Sequence, residues 1–137
     1  MKLSRIDIKS AAEKGFEYNF VIPDEILEEG EDGRTDISVS VRGIGSRQHK
    51  QAKAEYDHAI EQLRKTAYRG KLDPEQEDQL LSEMIAKCTT GWKNVEDNDV
   101  QVEWSVDNAA MIFDKYPILR GAVAGALFDM RTQLKNL

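Results

Sequence analysis

The spacing of the apolar residues changes along this chain between Gly43 and Ser46. Before that point they alternate with polar residues, as in FEYNFVI at 16–22 and DISVSVRGI at 36–44. After it they recur every three or four residues. Alternation is the pattern of a strand with one buried face, whereas a period of about 3.6 residues indicates an amphipathic helix. The chain is therefore predicted to be an α+β protein, with strands first and helices after.

The strand-rich part, residues 1–45, is predicted to form a small antiparallel unit. Pro23 ends the first strand, because proline has no backbone N–H to donate to a sheet ladder. An acidic loop containing Gly30 and Gly33 joins that strand to the second. Two amphipathic strands are not stable alone. We therefore expect helices to cover their apolar face.

The helical part, residues 46–137, is predicted to be a bundle of about four helices. Helix caps, glycines and prolines mark its boundaries, which are Ser46 to Gly70, Asp73 to Gly91, Ser105 or Asp107 to Tyr116, and Pro117 to Leu134. The last helix contains Gly121 and Gly125, and an interior glycine costs ~1 kcal/mol relative to alanine. We expect another backbone to approach closely there. At 137 residues, both parts are predicted to form a single domain, 1–137.

Composition excludes several classes of protein. A net charge of −6 argues against a nucleic-acid partner, since binding phosphates requires a basic face. No apolar run approaches the ~20 residues that a membrane-spanning helix needs, and the N-terminus has no apolar signal region. The only cysteine, Cys88, has no partner for an internal disulfide, which is typical of a reducing cytosol.

No residue pattern points to catalysis, a cofactor or a metal. The acidic turn after Val95 departs from a calcium-binding loop, with Val102 where glycine is required and Asn108 where glutamate is required. GIGSRQ at 43–48 lacks the remaining residues of a dinucleotide or phosphate loop, so it is interpreted as a turn and a helix cap. The chain is not predicted to be an enzyme.

Three further side chains have a functional and a structural interpretation. The two histidines, His49 and His58, are predicted to be exposed polar residues rather than metal ligands. Cys88 continues an apolar helical stripe, so a core thiol is favoured over a catalytic one.

Two tryptophans stand at the ends of the connection between the second and third predicted helices. Trp92 follows Gly91, and Trp104 precedes Ser105. Each ring is predicted to cover a helix end and to fill the core there. The alternative for Trp92 is an exposed anchor for a partner protein.

These same segments carry a resemblance to a known family. CTTGWKNV at 88–95 and VEWSVDNAAMIFDKYPILRGAV at 102–123 resemble the small tail assembly chaperones of long-tailed bacteriophages and prophages. In that family a helix ends at a Gly-Trp pair, and a Ser-x-x-Asn-Ala cap begins the next helix after an extended segment. A Tyr-Pro break, here Tyr116-Pro117, opens the final helix. DISVSVRGIGSRQHKQ at 36–51 is similar to the strand and long helix of the same family.

The resemblance implies a function in virion morphogenesis. Such chaperones bind the tape measure protein and help recruit tail tube subunits to it, without catalysis. They act in the cytoplasm of the bacterial host and are absent from the mature virion. The partners expected here are thus the tape measure and tail tube proteins, with no nucleic acid and no membrane, and self-association remains open. Trp92, Phe128 and Met130 are the predicted contact residues.

Two other functions compete with this hypothesis. A structural tail or connector component of the virion is the first alternative, and such subunits form closed rings. A small enzyme with an unfamiliar site is the second, and it would need a deep pocket lined by convergent polar groups.

Overall fold

The computed structural model describes residues 1–135, with the side chain of Met130 outside that description. The protein is α+β, as predicted. Its helices are α1 (Ile8–Lys14), α2 (Arg47–Thr66), α3 (Pro74–Lys87), α4 (Val106–Lys115), α5 (Pro117–Leu127) and α6 (Met130–Lys135). Its strands are β1 (Phe16–Val21), β2 (Arg34–Val41), β3 (Thr89–Lys93), β4 (Glu96–Asp97) and β5 (Val100–Gln101). Single 3₁₀ turns occupy Leu3–Ile6, Asp24–Ile26 and Tyr68–Gly70.

The main sheet is antiparallel and has the strand order β1-β2-β3. Val39 at its centre pairs with Tyr18 on one side and with Trp92 on the other. Because side chains alternate across a sheet, these three lie on one face, which packs into the core. β4 and β5 form a separate two-stranded hairpin.

The third strand of this sheet was not predicted. The preceding helix was expected to extend to Gly91, but α3 ends at Lys87 and β3 begins two residues later. Thr89 to Lys93 pair with β2, about 50 residues earlier in the chain. A strand from the predicted helical part therefore completes the sheet of the strand-rich part.

Side-chain caps begin the helices where the sequence predicts. Ser46 accepts a hydrogen bond from the backbone N–H of His49 at 3.1 Å, and Asp73 accepts one from Glu75 at 3.0 Å. Ser105, rather than Asp107, caps α4 through its bond from the N–H of Asn108. Each bond satisfies a backbone donor that has no partner in the first helical turn.

The last predicted helix is two helices. α5 ends at Leu127, and the chain turns at Phe128 before α6 begins. Asp129 accepts hydrogen bonds from the backbone N–H and the hydroxyl of Thr132, at 3.2 and 2.7 Å. This cap begins α6, which contacts α1.

The glycines of α5 do not accommodate another backbone. A Cβ atom built at Gly121 or Gly125 meets no other atom within 4 Å, and both residues are exposed. The expected close approach at these positions is wrong. The close approach is instead at Gly15, between α1 and β1, where φ is +70° and a Cβ would lie 2.4 Å from the carbonyl oxygen of Val41.

The core lies between the apolar face of the sheet and the helices α3, α4 and α5. Its largest fully buried side chains include Phe113, Ile85, Ile112 and Leu127. The long helix α2 is peripheral and packs mainly against α3. None of the helices within residues 1–135 has both the length and the apolar character needed to cross a lipid bilayer.

Candidate functional site

The connection between α3 and α4 is held by its two tryptophans. The indole N–H of Trp92 donates to the carbonyl oxygen of Val102 at 2.8 Å, and that of Trp104 donates to the hydroxyl of Thr89 at 3.0 Å. The Trp92 ring also packs edge-on against Phe113, with ring centroids 6.3 Å apart. Both rings are partly buried against the core, as predicted, but Trp92 lies in β3 rather than at the end of α3.

An ionic cluster fixes the β4–β5 hairpin to the end of α4. Asp97 accepts hydrogen bonds from the Lys115 ammonium, at 2.8 and 3.1 Å, and from the Tyr116 hydroxyl. These bonds lower the pKa of Asp97, and they raise the pKa of Lys115 and of Tyr116. Asp97, in the acidic turn that was compared with a calcium-binding loop, is thus engaged by a cation of the protein itself. Within residues 1–135 no group of three or more potential ligands is arranged to hold a metal ion.

His49 is buried, and the prediction that it is exposed is wrong. Only 6% of its surface is accessible, and its ring packs edge-on against Phe128 with centroids 5.5 Å apart. Burial, together with the nearby charge of Lys53, lowers the pKa of His49. The helical spacing gave no sign of this contact because Phe128 is about 80 residues away in sequence. His58 is exposed, as predicted.

Cys88 is a core thiol, as predicted. It is fully buried, and burial raises its pKa to about 12. A thiol with this pKa is almost entirely protonated at neutral pH, whereas a nucleophilic cysteine requires the thiolate.

The turn before α2 is satisfied within the protein. Besides the Ser46 cap, the backbone N–H of Arg47 donates to the carboxylate of Glu13 in α1 at 2.6 Å. An acidic side chain thus already occupies the position where an anion would meet the first turn of the helix. The interpretation of this motif as a turn and a cap is confirmed.

The three predicted contact residues do not form one surface. Trp92 lies in β3 and uses its N–H within the protein. Phe128 lies beyond α5, and 46% of its surface is exposed although one edge meets His49. The side chain of Met130 lies outside the described part of the chain. Their role in binding a partner stays a prediction.

A surface that the sequence did not predict lies between α2 and α3. Its floor is formed by the partly exposed apolar side chains Ala59, Leu63 and Leu80, and it encloses about 470 Å³. Tyr56 and Met84 continue this floor. Helical periodicity places these side chains on one face of each helix, but it does not determine how much of that face the core covers.

Comparisons with protein-family profiles, with curated proteins and with solved structures find no significant match to this chain.

Proposed function

We propose that this protein is a tail assembly chaperone of a long-tailed bacteriophage or prophage. In this function it binds the tape measure protein in the host cytoplasm, helps recruit tail tube subunits and performs no catalysis. It is not retained in the mature virion. Its partners are proteins rather than nucleic acid or membrane.

The observation that carries this proposal is the resemblance of the segment from Gly91 to Pro117. The residues that resemble the family are the ones that define the connection in the structure. Trp92 and Trp104 lock its two ends, Ser105 caps α4, and Pro117 starts α5. The resemblance therefore follows a complete structural unit rather than scattered identities.

The surface of the protein is compatible with transient binding of another protein. Several large apolar side chains of the helices are about half exposed, among them Met111 at 51% and Ile118 at 49%. A net charge of −6 keeps copies of the chain apart through mutual repulsion. Apolar side chains exposed on an otherwise charged surface suit a protein that binds an aggregation-prone partner and then releases it.

Co-expression with the tape measure protein of the same genome tests the proposal. We expect this chain to increase the soluble yield of the tape measure protein and to co-purify with it through an affinity tag. An unrelated acidic protein of similar size serves as the control for general effects of co-expression. If the tape measure protein stays insoluble and no complex forms, the chaperone function is wrong, and the structural ring component becomes the leading alternative.

A further inference from the structure

The solvent-facing groove between α2 and α3 is an unfilled position for a helix. The two helices are antiparallel, since Glu55 near the start of α2 bonds to Lys87 at the end of α3, at 2.7 Å. Such a pair has a groove on each side, and a third helix packs into a groove through the ridges of its side chains. α2 packs mainly against α3, and the apolar side chains Ala59, Leu63 and Leu80 on this side of the pair stay partly exposed.

The floor of the groove is apolar and its walls are amides. Ala59, Leu63 and Leu80 are each partly exposed along the centre. Gln62, Gln76 and Gln79 flank them. Apolar anchors between polar walls are the arrangement that receives one face of an amphipathic helix.

The length of the groove determines the length of its occupant. The α2 residues that line it run from Ala52 to Thr66. With a rise of 1.5 Å per residue, this stretch is about 21 Å long. A helix of about four turns, with apolar residues at every third or fourth position, matches that length.

The charge of the groove determines which charge its occupant must carry. Lys87 is already paired with Glu55. Glu83 lies at the centre of the groove and is exposed, and it forms no ion pair with any described residue. The uncompensated charge is therefore negative, and it is complemented by a lysine or arginine on the incoming helix.

A second copy of this chain does not supply such a helix. The exposed apolar residues of α2 and α3 in a second copy belong to its own groove, which carries the same uncompensated Glu83, so pairing two grooves would bring like charges together. α4 and α5 pack their main apolar faces into the core of their own copy. The remaining helices, α1 and α6, have seven and six residues, which is half the length of the groove or less. The occupant is therefore a helix of a different protein.

We propose that the α2–α3 groove binds one amphipathic helix of about four turns, with a basic residue opposite Glu83. This inference rests on the proposed function, in which the partner that supplies the helix is the tape measure protein. It assigns the contact to Ala59, Leu63, Leu80 and Glu83, and not to Phe128 at the far end of α5.

Two pairs of matched variants test the groove in the full-length chain. Ala59→Arg fills the groove, whereas Ala54→Arg places the same side chain on the opposite, exposed face of α2. Glu83→Lys reverses the charge in the groove, and Glu61→Lys makes the same change outside it. Each variant is co-expressed with the tape measure protein, and its fold is checked by circular dichroism.

We expect Ala59→Arg and Glu83→Lys to reduce the co-purified tape measure protein by about tenfold or more, because each places an unfavourable group at the centre of the contact. Their controls should stay within about twofold of the unmodified chain. Retained binding by both groove variants overturns the groove but leaves the proposed function intact. If the unmodified chain itself fails to bind, the proposed function and the groove fall together.

Discussion

Burial disfavours the protonated form of His49, whose ring packs against Phe128. The pKa of His49 in the folded protein is lowered by burial, with a smaller contribution from the charge of Lys53. The unfolded chain therefore takes up a proton at a higher pH than the folded chain does. Stability is fully present above the unfolded pKa, near 6.5, and is lost as the pH falls below it.

A His49→Phe variant tests this consequence. Phenylalanine keeps an aromatic ring against Phe128 and cannot be protonated, so the unfolding free energy should depend less on pH between 7.5 and 5. Urea unfolding at several pH values measures that dependence. His58→Gln is the control, because it removes an exposed imidazole from the same helix. Equal slopes for the unmodified chain and His49→Phe would contradict the assignment.

At the scale of single elements, α5 carries two glycines without a structural need for them. Gly121→Ala and Gly125→Ala add a methyl group to open space. Because alanine has the higher helix propensity, each change should raise the unfolding free energy by about 0.5–1 kcal/mol. Thermal or urea unfolding measures this.

Gly15→Ala is the matched control for those substitutions. There φ is +70°, and the new methyl group would meet the Val41 carbonyl, so this variant should be destabilised. Destabilisation by Gly121→Ala or Gly125→Ala would show that another backbone does pack on α5. Loss of partner binding without loss of stability would instead place a partner contact on this helix.

The docking of α6 depends on the space beside Gly43. Gln133 of α6 is buried and donates from its amide to the carbonyl oxygen of Leu127 at 2.8 Å. A Cβ on residue 43 would lie 1.9 Å from the side-chain oxygen of Gln133. Gly43→Ala should therefore destabilise the protein by about 1–3 kcal/mol through overpacking.

A double-mutant cycle separates this contact from a local effect at residue 43. Gln133→Ala removes the atoms that the new methyl group meets, so Gly43→Ala should cost less in that background. The coupling between the two sites should reach about 0.5–3 kcal/mol, measured by denaturant unfolding. Additive effects would mean that the glycine matters only for its own backbone.

The elements predicted correctly are those whose signals are local. β1 and β2 follow from alternation, and the starts of α2, α3 and α4 follow from caps within four residues of each helix. The break before α6 also had a local signal, Asp129 three residues before Thr132, but the continuous apolar stripe obscured it.

The elements that were missed depend on distant partners. β3 is a strand because β2 offers it a free edge, and neither its two threonines nor its glycine gives the alternation of a strand. His49 is buried because Phe128 reaches it from the end of α5. The groove depends on how much of each apolar stripe the core leaves uncovered, which periodicity alone does not determine.

For the whole molecule, the position of α2 connects the fold to the proposed function. Its first half is attached at three points: Glu13 at Arg47, Phe128 at His49, and Lys87 at Glu55. Its second half packs on α3 beside the apolar groove. A helix that is held at one end and open along one side can present a binding surface without exposing the core.

A transient chaperone and a ring component differ in where the molecule is found after assembly. If the chain acts only during morphogenesis, infected cells should contain it together with the tape measure protein, while purified particles should contain less than about one copy per tail. A ring subunit is retained in a fixed number set by the symmetry of its closed interface. Quantitative mass spectrometry of cell lysates and purified particles, normalised to the tail tube protein, distinguishes the two.

The groove variant Ala59→Arg adds a second comparison, since loss of tape measure binding should reduce particle yield without changing particle composition. A constant copy number in purified particles would instead identify the chain as a structural component, and the groove would then require a partner that stays in the virion.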